Sequence, residues 1–239
     1  MDKNKLLMVV AEAAACCAAL VVVVGCRYVS DGGAGPAAMF SADRTVLPGS
    51  PCAAAPAKAE LLNEFGALAL FSGETAEDTV FNAVDATERD YRSQNSLFLR
   101  RRKADGTDEW RLLLTSGSDW RVADGMSEWD STQAREVNEH FEIRKASFGL
   151  DGRHLWLVCD THTSFYSVVC SYDAQDNVLN VLIDGDTADE QPDGTILVTG
   201  KKVYLTNENG EPDGAGLCDV WITRDGKIVR KSKPVKING

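Results

Sequence analysis

The groups that could do chemistry in this chain are seven cysteines, three histidines and an excess of carboxylates. Cys16 and Cys17 lie inside an N-terminal apolar run, Cys26 closes that run, and Cys52, Cys159, Cys170 and Cys218 follow in the body of the chain. In an oxidising compartment, four cysteines allow two bridges in three connectivities. Cys159, Cys170 and Cys218 are the disulfide candidates, because they sit in strand-like runs that could stack as neighbours. The competing reading makes them small buried apolar residues. His140, His154 and His162 lack the paired spacing of metal ligands. The acidic loop 184–190 lacks the oxygen ligand and the glycine that a calcium loop needs after Asp186, so neither a metal nor another cofactor is expected. No Gly-x-Ser-x-Gly elbow, phosphate loop or Gly-x-Gly-x-x-Gly is present, and no catalytic residue is assigned. A hydrolase would have to use carboxylates that folding brings together; Asp160, Asp184, Asp186 and Asp189 are the candidates for such a pair. Trp110, Trp120 and Trp129 could stack on a sugar, although aromatic residues in a small all-β protein more often pack between sheets.

The elements that would position these groups are short strands. From Ala146 to Gly185, three runs rich in Leu, Val, Ile, Phe, Tyr and Trp are separated by Asp151-Gly152, by 160–164 and by Asp176-Asn177, which reads as an antiparallel meander. Asp193-Gly194-Thr195-Ile196-Leu197-Val198 repeats the Asp151-Gly152 start at a spacing of 42 residues, and Val220 to Val229 repeats the hairpin of Cys170 to Leu179. Upstream, Leu68 to Gly73 stands where Leu155 to Cys159 would stand, and Leu97 to Arg100 and Trp110 to Leu114 flank a turn at Asp105-Gly106. Periods of this length built from four strands are the signature of propeller blades. Leu155 to Val158 and Ile196 to Val198 are apolar at consecutive positions, as strands covered on both faces are. The fold class expected is all-β, a propeller-like stack of about three four-stranded antiparallel meanders over residues 59–236. Propellers close with four or more blades. Three copies therefore leave three outcomes: a degenerate hidden blade, a homo-oligomer in which two chains complete each other, or an open stack.

Phe148-x-x-Asp151-Gly152-Arg153-x-Leu155 resembles the Phe-Ser-Pro-Asp-Gly-Arg-x-Leu pattern of the propeller repeats in periplasmic Tol-system proteins and related bacterial exports. Here Gly149-Leu150 replaces Ser-Pro, and the third copy keeps only Pro192-Asp193-Gly194 before its apolar strand. The resemblance spans roughly 67–233. It implies the cell envelope as location and a protein or polysaccharide as partner.

The N-terminus carries Lys3 and Lys5, then Leu6 to Gly25, apolar apart from Glu12. Its uninterrupted part, Ala13 to Val24, fits a signal-peptide core better than a membrane span of ~20 residues. Counted through Glu12, the run remains long enough for a single-span anchor. Val23-Val24-Gly25-Cys26 resembles the bacterial lipobox, which implies that residues 1–25 are a lipoprotein signal peptide and that Cys26 becomes the lipid-bearing first residue of the mature chain. Residues 26–58 are rich in Gly, Ala and Pro and are expected to form a flexible tether, with Ala57 to Phe65 spaced as a short helix. Glu74 to Asn95 and Gly117 to His140 read as surface insertions. The signal peptide has no net charge, so the mature chain keeps the full −11. That excess argues against nucleic acid or an anionic bilayer face as the main target. Arg100-Arg101-Arg102-Lys103 and the tail from Lys227 to Lys236 are basic patches that would keep exposed strand ends from pairing with other chains. The function expected is a non-catalytic envelope lipoprotein with a binding or scaffolding domain, held to the membrane by its lipid with the domain in the periplasm or on the surface. The alternatives are a hydrolase using loop carboxylates and a single-span membrane-anchored structural protein.

Overall fold

The computed structural model describes residues 38–85, 94–115, 120–122, 142–160 and 167–237, all within one compact unit that begins at Ala38. Cys26, the apolar run, His140, His162 and Trp129 lie outside the described residues, as does nearly all of the expected 117–140 insertion. No described helix is long and apolar enough to cross a membrane.

The described residues are mostly strand, in three sheets. The first has the order β1-β5-β4-β3-β2, from β1 (Ser50–Cys52), β2 (Ala57–Phe65), β3 (Leu68–Glu74), β4 (Ser96–Arg102) and β5 (Asp108–Leu114). The second has the order β6-β10-β9-β8-β7, from β6 (Trp120–Val122), β7 (Glu142–Phe148), β8 (His154–Asp160), β9 (Ser167–Asp173) and β10 (Val178–Asp184). The third runs β11 (Thr187–Glu190), β12 (Ile196–Thr206), β13 (Pro212–Ile222), β14 (Ile228–Lys231), with β15 (Val235–Lys236) also on β13. Each sheet is built on a four-strand antiparallel meander. Only β6 joins its neighbour, β10, in parallel. None of the sheets closes on itself.

Alternation along each strand distributes side chains between two cores. Leu155, Leu157 and Cys159 of β8 face a cluster shared with Leu68, Leu70, Leu97 and Leu99 of the first sheet. Trp156 and Val158 face a second cluster shared with Ile196, Val198, Val220 and Ile222 of the third. The middle sheet is therefore covered on both faces, as the continuous apolar run of β8 requires, and the first and third sheets are the ends of an open stack.

One turn recurs. At 103–107, 191–195, 207–211 and 223–227 the fourth residue, a glycine, donates to the carbonyl of the first, whose own N–H bonds the carbonyl of the fifth. The glycines have φ of 81–87°, a left-handed conformation for which glycine is the default. The preceding Asp105 and Asp193 reinforce their turns by accepting from the N–H and hydroxyl of Thr107 and Thr195.

Three sequence expectations are corrected. Residues 38–58, assigned to the tether, belong to the fold: Phe40 and Leu47 are buried in the first core, Arg111 donates to the carbonyl oxygens of Leu47 and Gly49, and β1 extends the first sheet. Sparse apolar residues sufficed because the backbone found partners. Ala57–Phe65 is a strand rather than a helix, since pairing with β3 overrides the helical spacing of Leu61, Leu62 and Phe65. The 74–95 segment is more than surface: it opens with helix α1 (Ala76–Asp85), whose Asp78 is completely buried.

Candidate functional site

The densest gathering of ionisable groups lies where the β7–β8 turn meets the third sheet. Asp151 Oδ1 accepts from the N–H groups of Arg153 and His154, both at 3.0 Å, and its Oδ2 lies 2.6 Å from His154 Nδ1. The other ring nitrogen of His154 is 3.6 Å from Asp173. Arg153 forks onto Asp173 and reaches Asp176 at 3.0 Å. Arg224, in the β13–β14 turn, spans the sheets: one nitrogen is 3.0 Å from Asp151 and the other 2.5 Å from Glu190 at the end of β11. Glu190 is almost fully enclosed, with a side chain 3% exposed. Its second oxygen accepts from Trp156 Nε1 at 3.0 Å and from the Leu150 N–H at 2.7 Å. A tryptophan buried between two sheets needs an acceptor for its indole N–H, and the third sheet supplies it.

The electrostatics suit a latch and oppose acid chemistry. Burial alone would push the Asp151 carboxyl up, but the backbone N–H groups of His154 and Arg153 and the His154 ring outweigh it and hold the group at about 2. Asp173 is pushed up by burial too, yet Arg153 and the N–H groups of Gln175 and Asp176 bring it below the usual carboxylate range. Both are ionised at neutral pH, so neither holds a proton to donate.

A pH dependence follows. A depressed carboxyl contributes stability that is complete above its unfolded value near 3.8 and lost as pH falls through its folded value near 2. Thermal melts between pH 6 and pH 2 should show a steep acid limb that Asp151→Asn flattens. The expected loss in that window is on the order of 1 kcal/mol after solvent screening. An unchanged acid limb in the variant would show that Asp151 does not couple folding to protons.

Of the carboxylates named from sequence, Asp160 and Asp184 each have a cation of their own. Asp160 is held by Arg144 at 2.5 Å and by the Ser167 hydroxyl at 2.8 Å. Asp184, at the end of β10, is engaged by Lys201 and by the N–H of Lys202. Asp186 lies in the short connection to the third sheet, and Asp189 is exposed on β11. Each carboxylate whose protonation is clearly shifted, among the described residues, is shifted downward. The described residues contain no group of three His, Cys, Asp or Glu side chains that could hold a metal ion.

Cys52, Cys159, Cys170 and Cys218 are free thiols. Cys159 opposes Val168 and Cys170 opposes Leu157, which makes the two cysteines diagonal neighbours on the face of β8 and β9 turned to the first core. Their Cα atoms are then about 7–8 Å apart, at or beyond the reach of a disulfide without backbone movement. A hydrogen bond to Cys170 and burial push the Cys159 thiol well above its ordinary pKa. Cys218 belongs to the second core, so the middle sheet stands between it and the other two.

The chain matches no family model, no curated protein and no solved structure. Glu190 and Arg224 had no signature in sequence; the one available cue was Trp156, an indole in a doubly covered strand that must find an acceptor.

Proposed function

We propose that the chain is a non-catalytic cell-envelope lipoprotein, anchored through a diacylglyceryl group on Cys26, with a propeller-like β domain that binds or scaffolds a protein or polysaccharide. The observation that carries this reading is the apolar run ending in Val23-Val24-Gly25-Cys26, a short distance before the compact unit that starts at Ala38. Three stacked meanders whose second strands, β3, β8 and β12, recur in matching places support the propeller-like description. The non-catalytic part is supported by carboxylates that are ion-paired and held ionised rather than poised to give up a proton.

The test is the mass and fractionation of the protein expressed in a bacterium, wild type beside Cys26→Ser. The wild type should begin at residue 26, carry the mass of a lipid and sediment with membranes. The variant should lack the lipid and keep residue 1. A wild type that keeps residue 1 and stays in the membrane would instead identify Leu6 to Gly25 as a span.

A further inference from the structure

The last strand of each meander has a different neighbour in the third sheet from that in the other two. In the first sheet β5 is the last strand, and β1, from outside the meander, pairs along its outer edge at Leu112, Arg111 and Trp110. In the second, β10 is the last, and β6 pairs along its outer edge at Leu179, Asn180 and Val181. In the third, β14 is the last, and among the described residues no strand lies outside it. β15 instead follows β14 along β13, at Gly216 and Leu217, so the two form one interrupted edge. Every residue of both is exposed, Val229 at 54% and Val235 at 72%. Ser232 donates its N–H inward to the Asp219 carbonyl at 2.8 Å, and alternation along an antiparallel strand then turns the N–H and C=O of Lys231 outward. This edge is also the basic exception in an acidic chain. Residues 226–239 hold Lys227, Arg230, Lys231, Lys233 and Lys236 and no acidic side chain, against a net charge of −11 for the whole. Lys236 is paired with Asp213 at 2.6 Å, and the Arg230 guanidinium lies 3.7 Å from the Trp221 ring centre. Lys231 and Lys233 have no ion pair among the described residues.

We propose that β14 takes an added strand from a partner protein: an extended acidic segment that pairs with its outer edge as β1 pairs with β5. Position argues for a strand. The same place in both other meanders is filled by a short extended segment brought from elsewhere in the chain, and three residues of pairing suffice there. Main-chain hydrogen bonds supply the affinity in this mode of binding, and side chains at alternate positions supply the specificity. Ile228 and Val229, both exposed, offer apolar contacts to such alternate residues. Charge argues for an acidic segment. Lysines on an exposed edge turn away apolar and basic strands, and the same lysines draw in a strand that carries glutamate or aspartate. The acid elsewhere in the chain does not oppose this. At physiological salt the screening length is about 8 Å, so an arriving strand responds to Lys231 and Lys233 more than to carboxylates on the distant sheets. The inference takes from the preceding reading only that the domain binds a protein, and it does not depend on lipid attachment at Cys26.

The experiment is fluorescence anisotropy of a labelled, end-blocked heptapeptide alternating glutamate and valine, titrated with the full chain in a mild detergent. The wild type should bind it at least roughly tenfold more tightly than a counterpart with lysine in place of glutamate. It should show a similar preference, roughly tenfold, over a peptide of the same charge N-methylated at two adjacent central residues, which removes a donor from each edge of the strand. Lys231→Glu combined with Lys233→Glu, both at exposed positions, should weaken binding roughly tenfold. Lys103→Glu, in the basic β4–β5 turn, should leave it unchanged. Cys26→Ser should bind as the wild type does, so that loss of strand addition and loss of lipid attachment are read apart. No binding of the glutamate peptide, binding untouched by the paired lysine changes, or equal damage by Lys103→Glu would each overturn the proposal. Equal binding of the N-methylated peptide would overturn it too, and would make the edge a charge patch for any polyanion, an acidic polysaccharide included.

Discussion

Asp78→Ala is expected to lower the free energy of unfolding by about 3 kcal/mol, from removing at once the buried carboxylate that four donors share. Asp78 is wholly buried, and one of its oxygens accepts from the N–H and hydroxyl of Thr75 at 2.7 and 2.8 Å and from the Ser96 hydroxyl at 2.7 Å. The other accepts from Gln94 Nε2 at 3.0 Å. In return Thr75 Oγ1 accepts from the Asp78 N–H at 3.1 Å, so the two residues form a reciprocal cap at the start of α1. The cap alone accounts for about 1 kcal/mol. The larger part comes from Gln94 and Ser96, which enter the first sheet at β4 and would lose the buried carboxylate they donate to. All four partner groups donate, so the site demands an acceptor-only side chain. Asp78→Asn should then cost more than half as much as alanine, because an amide NH₂ must face one of those donors. Equilibrium denaturation of the three proteins checks both statements. A loss below about 1 kcal/mol for alanine would mean that water replaces the carboxylate and that the segment is less enclosed than its geometry implies.

The contrast between legible and hidden features follows from the range of the forces involved. The Asp-Gly pairs at 105, 151, 193 and 225 foretold turns because φ is decided within a few residues, and four of those eight residues are glycines in the left-handed region. The double coverage of β8 was legible from Leu155 to Cys159 because a strand with apolar residues on both sides has only one kind of place to be. β2 was misread because its spacing suits a helix, while the deciding contact is the β3 backbone across a tight turn. The long β12–β13 hairpin was also missed. It depends on the Asn207–Glu211 turn and on a bulge at Gly200, where a Cβ would meet Asp186 Oδ2 at 2.1 Å. The Thr75 to Asp78 cap has a readable pattern, but nothing in it points to Gln94 or Ser96. The polar cluster at the β7–β8 turn was invisible for the same reason, since Trp156 and Glu190 become partners only when the second and third sheets stack.

Glu190→Ala should be the most damaging change at that junction, about 3 kcal/mol, and its pattern can be told from simple loss of packing. Three donors lose their acceptor together: the Trp156 indole, the Leu150 N–H and Arg224. Arg224 is half exposed and can turn to water, or lean on Asp151 alone, so it contributes the least. The indole cannot, because Trp156 is buried against the third sheet, and an unpaired buried donor costs about 1–3 kcal/mol; Leu150 is exposed, so its N–H contributes less. Glu190→Gln, with its amide oxygen in the place of Oε2, keeps the acceptor for both the indole and the Leu150 N–H and loses the ion pair, which places it between alanine and wild type. Arg224→Ala removes only the exposed partner and should cost under about 1 kcal/mol. The double variant Glu190→Ala with Arg224→Ala is therefore expected to be worse than Glu190→Ala alone by under about 1 kcal/mol, because only the half-exposed contact of the cation with Asp151 remains in the single variant. Additive losses would assign the latch to two independent contacts. An equal loss for Arg224→Ala and Glu190→Ala would place the stabilisation in the ion pair itself, and the role given to the indole would be wrong.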